Sequence, residues 1–221
     1  LLANKPLLTA VLTYHVLSSK VMRADVPLGK AITPVSGGFF KIESNNGLKI
    51  TDGRNRVSTI TSTDIQASNG VVHLVDKVLL PADKDIVATA SALPDFSILV
   101  EAVVAAGLVS TLQGAGPFTV FAPTNAAFAA LLTELGVTKD ALLANKTLLT
   151  QVLTYHVVPA RVLKAEVPVN TAITTVQGQT FTINSSLVIT DQNMRTSNIL
   201  TADVFTSNGV IHVVDKVILP K

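Results

Sequence analysis

The residues best equipped for chemistry in this chain are its four histidines, and they come as two pairs. His15 and His156 each follow a tyrosine in LTYHV, while His73 and His212 each interrupt a run of branched aliphatics, NGVVHLV and NGVIHVV. An imidazole beside a carboxylate can serve as a general base at neutral pH, and two imidazoles with an acid can begin a metal site. His156, His212 and Asp215 are therefore the constellation to weigh, and a pocket joining them would suit a small-ligand-binding or hydrolytic domain. The competing reading is structural: His156 extends the apolar stripe of a helix, His212 lies in a buried strand, and each neutral ring satisfies backbone groups. No third ligand has suitable spacing, whereas metal sites use three or four, so neither a metal nor a cofactor is expected. The chain has no G-x-S-x-G elbow, phosphate loop or H-E-x-x-H helix, and no catalytic residue is assigned. Asp76-Lys77 and Asp215-Lys216 resemble acid–base pairs, but neighbours on a strand point to opposite faces.

The elements that must position these residues are repeated. Asn208–Pro220 (NGVIHVVDKVILP) matches Asn69–Pro81 (NGVVHLVDKVLLP) at ten of thirteen positions, and each difference exchanges one branched aliphatic for another. An Asn-Gly turn followed by such a run predicts a turn feeding a strand, and apolar residues at both parities from Val210 to Val214 predict burial of both faces. Leu2–Val16 recurs at Leu143–Val157, an offset of 141 residues that falls to 139 by His73 and His212. A period this long is a whole domain rather than a solenoid unit. Residues 85–141 have no upstream counterpart, so the chain reads as one complete repeat, 85–221, preceded by the C-terminal part of another, 1–82. The first copy is then expected to leave apolar faces open: Leu8, Val11 and Leu12 on its helix, and Val72, Leu74 and Val78 on its strand. A segment outside this chain would complete it, and self-association through the incomplete first domain is one route. Because the chain opens inside a repeat, no leader sequence is expected within it.

Composition narrows the class. Hydrophobic residues make up 48% and charged residues 14%, against about 25% charged in typical domains, which predicts compact domains with ample cores. A formal charge of +2 with no basic cluster excludes nucleic acid as the expected partner. The longest apolar stretch, Ile98–Val109, is interrupted by Glu101 and too short to span a membrane. Without cysteine there are no disulfides and no thiolate ligands.

Periodicity predicts a helix over Lys5–His15, with Leu7, Leu8, Val11, Leu12 and His15 on one stripe. Short strands follow at Val21–Val26, Phe39–Ile42, Leu48–Ile50, Ile60–Ile65 and Val71–Leu79, and Pro81–Lys84 is a linker. Asp85–Ala92 reads as a short helix. Asp95 is the expected N-cap of Phe96–Ala106, which Gly107 ends. Phe118–Ala122 is a strand broken by Pro123, and Thr124 or Asn125 caps a helix over Ala126–Leu132. Asp140–Ala144 and Thr147–His156 are helical, and the strands of the second copy follow. Helices gathered before strands indicate an α+β fold. Asn145-Lys146-Thr147 and Asn184-Ser185-Ser186 are glycosylation sequons, although Asn145 sits where a helix N-cap is due.

Three ordered segments carry a resemblance: GPFTVFAPTNAAF (Gly116–Phe128), Tyr155-His156 after LLTQVL, and NGVIHVVDKVILP. Together they resemble the fasciclin-like domain over 85–221 and, without its front half, over 1–81. The resemblance implies a wedge of mostly antiparallel strands packed with several helices, and a secreted or cell-surface setting. It also implies adhesion or protein–protein interaction, often in tandem repeats, through a surface or matrix protein or glycan, with no enzymatic activity. In animal matrix members a Tyr-His segment and a nearby Asp-Ile pair are associated with integrin binding. By resemblance the corresponding binding candidates are Tyr14, His15, Asp64 and Ile65 in the first copy, and Tyr155, His156, Asp203 and Val204 in the second, where valine replaces isoleucine. The competing reading packs the tyrosine on the helix flank and gives the aspartate a local capping role.

Overall fold

The computed structural model describes residues 4–221 (Leu2 and Ala3 of the repeated helix segment lie outside them). The chain divides into two compact units, one running to Asp83 and taking in Leu163–Glu166, the other formed by Lys84–Val162 and Val167–Lys221. The fold is α+β, and the sheets are mostly antiparallel.

In the first unit α1 (Lys5–Tyr14) starts where the Asn4 side chain accepts from the Leu7 N–H at 3.1 Å. Five strands follow: β1 (Ala31–Ile32), β2 (Phe40–Ser44), β3 (Leu48–Thr51), β4 (Val57–Ala67) and β5 (Gly70–Val75). They form one antiparallel sheet in sequence order, with β5 at its edge. Its core gathers Tyr14, Ile32, Phe40, Ile42, Ile50 and Leu79.

The second unit begins with α2 (Ile86–Ser91), α3 (Ser97–Ala106), α4 (Val109–Leu112), β6 (Phe118–Pro123), α5 (Asn125–Leu135) and α6 (Lys139–Ala144). The repeated part follows as α7 (Lys146–Tyr155), β7 (Val157–Val158), β8 (Ile173–Thr174), β9 (Thr180–Ile183), β10 (Val188–Thr190), β11 (Thr196–Thr206) and β12 (Gly209–Val214). Its sheet runs β7-β6-β12-β11-β10-β9-β8, and only the β6–β12 pair is parallel. β12 is buried on both faces. One face meets a helical cluster that includes Leu99, Phe128, Leu149, Leu153 and Ile211, and the other a cluster around Phe121, Tyr155, Phe181 and Ile218. The two residues that separate the repeat offsets lie in a hairpin: Ile42 pairs with Ile50 across β2–β3, and Ile183 with Ile189 across the shorter β9–β10 turn.

Several local expectations are corrected. Val21–Val26 is not a strand but holds a 3-10 turn, Arg23–Asp25. The Val21 carbonyl faces a ring nitrogen of His73 at 2.9 Å and the Arg23 N–H donates to Asp64 at 2.8 Å, which removes two groups a sheet ladder would need. The strand expected over Val71–Leu79 stops at Val75, because the Asp76 carboxylate accepts from Ser58 Oγ and the Thr59 N–H, both at 2.7 Å, and bends the chain. β4 is longer than Ile60–Ile65, since an irregularity in its pairing with β5 absorbs extra residues and leaves Asp64 at φ 60°. Asp95 does not cap α3, which starts only at Ser97 behind a 3-10 turn. The Ile98 N–H is instead satisfied by Asn125 Oδ1 at 3.0 Å, from the start of another helix. Of the two residues proposed to cap α5, Thr124 does so, accepting from the Ala127 N–H at 3.2 Å. Both sequon asparagines have local duties: Asn145 caps α7, and Asn184 accepts from the Ser186 and Val188 N–H groups. In the first unit Val11 is buried, whereas Leu12, Val72, Leu74 and Val78 are exposed.

Candidate functional site

His156 closes α7 and is 1% exposed. Its Nδ1 lies 2.7 Å from the Val152 carbonyl, which can only accept, so Nδ1 carries the proton. Nε2 is then free to accept from the Ile218 N–H at 3.1 Å. Burial pulls the pKa down to about 4, against the smaller upward effects of the Val152 hydrogen bond and the Asp191 charge. His212, also 1% exposed, uses the other tautomer. Its Nε2 donates to the Val162 carbonyl at 2.9 Å, while Nδ1 accepts from the Asp203 N–H at 3.1 Å. Each ring is thus a bracket between two stretches of backbone. The first unit repeats both brackets: His15 joins Val11 to Leu79, and His73 joins Val21 to Asp64.

Asp215 stands apart from this arrangement. Burial opposes its ionised form, but hydrogen bonds from Asn198 and Ser197 outweigh that cost and hold its pKa below the ordinary carboxylate value. Asp76 is held low by Ser58 first and the Thr59 N–H second. The second unit encloses an apolar cavity of about 50 Å³ between Val103, Leu112, Val120, Leu153 and Ile211, with His156 in its wall. Neither His212 nor Asp215 lines it. Among the described residues no group of three or more His, Cys, Asp or Glu side chains is placed to hold a metal ion.

The binding candidates are held by different partners. Tyr14 and Tyr155 are closed to solvent, and each hydroxyl donates to a carbonyl, Phe39 at 2.5 Å and Thr180 at 2.8 Å. Burial raises both phenols, Tyr155 to about 12. Asp64 and Asp203 sit at the β4 and β11 irregularities with φ of 60° and 63°, and their N–H groups meet His73 and His212. Of the residues that follow them, Ile65 is exposed, while Val204 is partly buried against the helical cluster. A partner could reach Ile65 without disturbing the fold; reaching either tyrosine ring would require opening a core.

The roles of three buried polar residues escaped the sequence reading. Asp191 accepts from the N–H groups of Asn193, Arg195 and Leu219, each at 2.9 Å, and Asp52 does the same for Arg54, Arg56 and Leu80 at 3.0 Å. The repeated I-T-D-x-x-x-R pattern was the signal available. Asn208 accepts from the Ile86 N–H and donates to the Leu112 and Gly114 carbonyls, tying the start of β12 to α2 and α4.

A model of the fasciclin domain matches residues 1–81 and 94–220. Protein sll1483 of Synechocystis sp. is 46% identical over 138 residues, 61% of this chain and 73% of that protein. Transforming growth factor-beta-induced protein ig-h3 of Sus scrofa is 29% identical across 98% of this chain, which spans 31% of that protein's length. A solved FAS1 domain pair from the insect cell adhesion molecule Fasciclin I superposes with a TM-score of 0.58 at 17% identity, covering 95% of this chain and 79% of that one.

Proposed function

The chain belongs to the fasciclin domain family, and from that membership we propose an extracellular adhesion and interaction module that performs no catalysis. One observation carries the reading: the groups best suited to chemistry are spent on the backbone. Both ring nitrogens of His156 and of His212 have backbone partners, and the cavity beside His156 is apolar. A base must reach a substrate proton, and an imidazole locked on both sides inside a core cannot. Binding then falls to the surface. No helix among the described residues is long and apolar enough to cross a membrane.

The partner is a surface or matrix protein or glycan. Residues 1–82 act as the C-terminal part of a first domain and 85–221 as a complete second one. Within the two Tyr-His and Asp-Ile/Val segments, Tyr14, His15, Tyr155, His156 and the buried Asp203 set the shape, while Asp64-Ile65 and the partly buried Val204 lie towards the contact edge. Ile65 is the most available of these apolar groups, since it is exposed at a bend.

The test is an array of matrix proteins and glycans probed with the whole chain, alongside ester and glycoside substrates. Saturable binding, weakened at least several-fold by Ile65→Asp, is expected, with hydrolysis at the buffer rate. Turnover lost in His156→Gln would overturn the proposal.

A further inference from the structure

The second unit carries a cleft of about 340 Å³ between α5, the turn that opens β11 and the residues just after β12. Ala127, Ala130, Leu131 and Glu134 line it from one face of α5, at the i, i+3, i+4, i+7 spacing that aligns side chains along a helix. Leu131 and Val217 are buried and form an apolar floor, which alanine at 127 and 130 keeps low. Arg195 joins the turn to α5 through two parallel hydrogen bonds to Glu134, at 2.6 and 2.9 Å. Met194 stands at the rim, 81% exposed with φ 60°, on the turn whose Asn193 and Arg195 N–H groups Asp191 gathers.

The free charge of the cleft is Lys216. Its side chain is exposed, and its ammonium makes no hydrogen bond or ion pair among the described residues. The counterpart Lys77 is spent on the Val57 carbonyl at 2.9 Å. Arg195 is spent too, on Glu134 and beside Asp191 at 3.8 Å. The cleft thus offers one uncommitted positive charge, a fixed donor–acceptor pair and an apolar floor. The residues lining it all belong to the complete repeat, and no described residue beyond Val217 is among them. In the first copy, where the chain runs on past the same motif, it stays by the turn that corresponds to Asp191–Asn193. There Asp83 pairs with Arg54 at 2.9 Å and Ala82 lies against Gly53.

We propose that this cleft binds a uronic acid residue of a surface glycan. The carboxylate pairs with Lys216, the ring hydroxyls meet the Glu134–Arg195 pair, and the C–H face of the sugar lies over Met194 and Ala130. Ligand sites run from about 300 to 1,000 Å³, so the cleft is of a size for one ring. Vicinal hydroxyls suit the ion pair, because each can donate to the carboxylate or accept from the guanidinium. An alkyl acid would strip water from that pair without replacing its hydrogen bonds. A phosphate monoester would bring nearly two negative charges to one free cation, with Glu134 opposing the second. A uronate is one class within the extracellular partners proposed above, and the cleft uses none of the Tyr-His or Asp-Ile/Val residues.

The experiment titrates the isotope-labelled full chain with tetragalacturonate and follows its backbone amide shifts. Saturable shifts centred on Glu134, Met194–Thr196 and Lys216 are expected, with affinity falling as salt screens the exposed carboxylate contact. Lys216→Met, which keeps the stem and removes the charge, should weaken binding about fivefold. Lys77→Met at the counterpart should leave it unchanged. The neutral galactose tetramer should bind more weakly than the uronate by a similar factor, and hexanoate, a carboxylate without hydroxyls, should give no saturable shift. Absence of binding, equal binding of the neutral sugar or by Lys216→Met, saturable binding of hexanoate, or shifts centred outside the cleft would overturn the proposal. Any of these results beside array binding that Ile65→Asp still weakens would remove the uronate site and leave the adhesion reading in place.

Discussion

Leu12 and Leu153 occupy the same place on the same repeated helix, yet Leu12 is 57% exposed and Leu153 is 4%. Val72 and Ile211 diverge likewise, at 47% and 1%. The sequences around them are nearly interchangeable, so the difference lies in what packs against them. In the second unit α2–α6 and β6 cover one face of the repeat, and Phe121 enters the cluster on the other. In the first unit the brackets of His15 and His73, the Asp52 turn and the Tyr14 hydroxyl bond all persist without that cover. The repeated segment therefore specifies its own backbone through local and polar contacts, and residues 84–144 decide which of its apolar residues become core.

The strongest way to break this comparison is to remove the ring that fills the second unit. Phe121→Ala should cost about 3–5 kcal/mol in the unfolding of that unit, with the first unit's transition unmoved in urea melts followed by residue-resolved exchange. Equal shifts in both units would show that the two do not unfold independently. Next, Leu153→Ala should destabilise the second unit by about 2–5 kcal/mol, whereas Leu12→Ala at the exposed counterpart should stay within about 0.5 kcal/mol. Similar losses at the two positions would mean that the face of α1 is covered in solution.

A pH titration sharpens the comparison through His156. Its folded pKa of about 4 lies below the ordinary 6.5 because burial disfavours the charged ring. Between those values the unfolded chain binds more protons, so stability is complete above pH 6.5, declines as pH falls towards 4, and levels off below. The loss attributable to this group is about 3 kcal/mol, read as a falling urea midpoint for the second unit. His156→Gln should flatten that decline. A decline of unchanged size would assign it to other groups.

The smallest contrast lies within the segment that has no repeat. Thr124→Ala removes one cap bond and should cost about 1 kcal/mol. Asn125→Ala also leaves the Ile98 N–H, the Pro94 carbonyl and Ser97 Oγ without this partner, and should cost about 2 kcal/mol. Thermal melts of the two variants would rank them, and the reverse order would contradict the Asn125 bridge.

Much of this was legible in the sequence because it is written in short-range chemistry. The 3.6-residue stripe marked α1 and its repeat α7, Gly107 takes the left-handed end expected after α3, and the Asn-Gly turns lead into β5 and β12. The burial of His156 and His212 followed from their apolar neighbours, but their tautomers did not, since these depend on Ile218, Val162 and Asp203 arriving from elsewhere in the chain. Asp95 misled for the same reason: it satisfies every local rule for an N-cap, and Asn125, distant in sequence, takes the Ile98 N–H.

By itself, then, the sequence determined the repeat, its element types and the residues able to be buried, because periodicity and turn chemistry act over a few residues. Tertiary structure alone decided which of two equal sets of apolar residues is buried. A leucine or a valine becomes core only when another surface excludes water from it, and that surface, residues 84–144, is present for one copy and not for the other among the described residues.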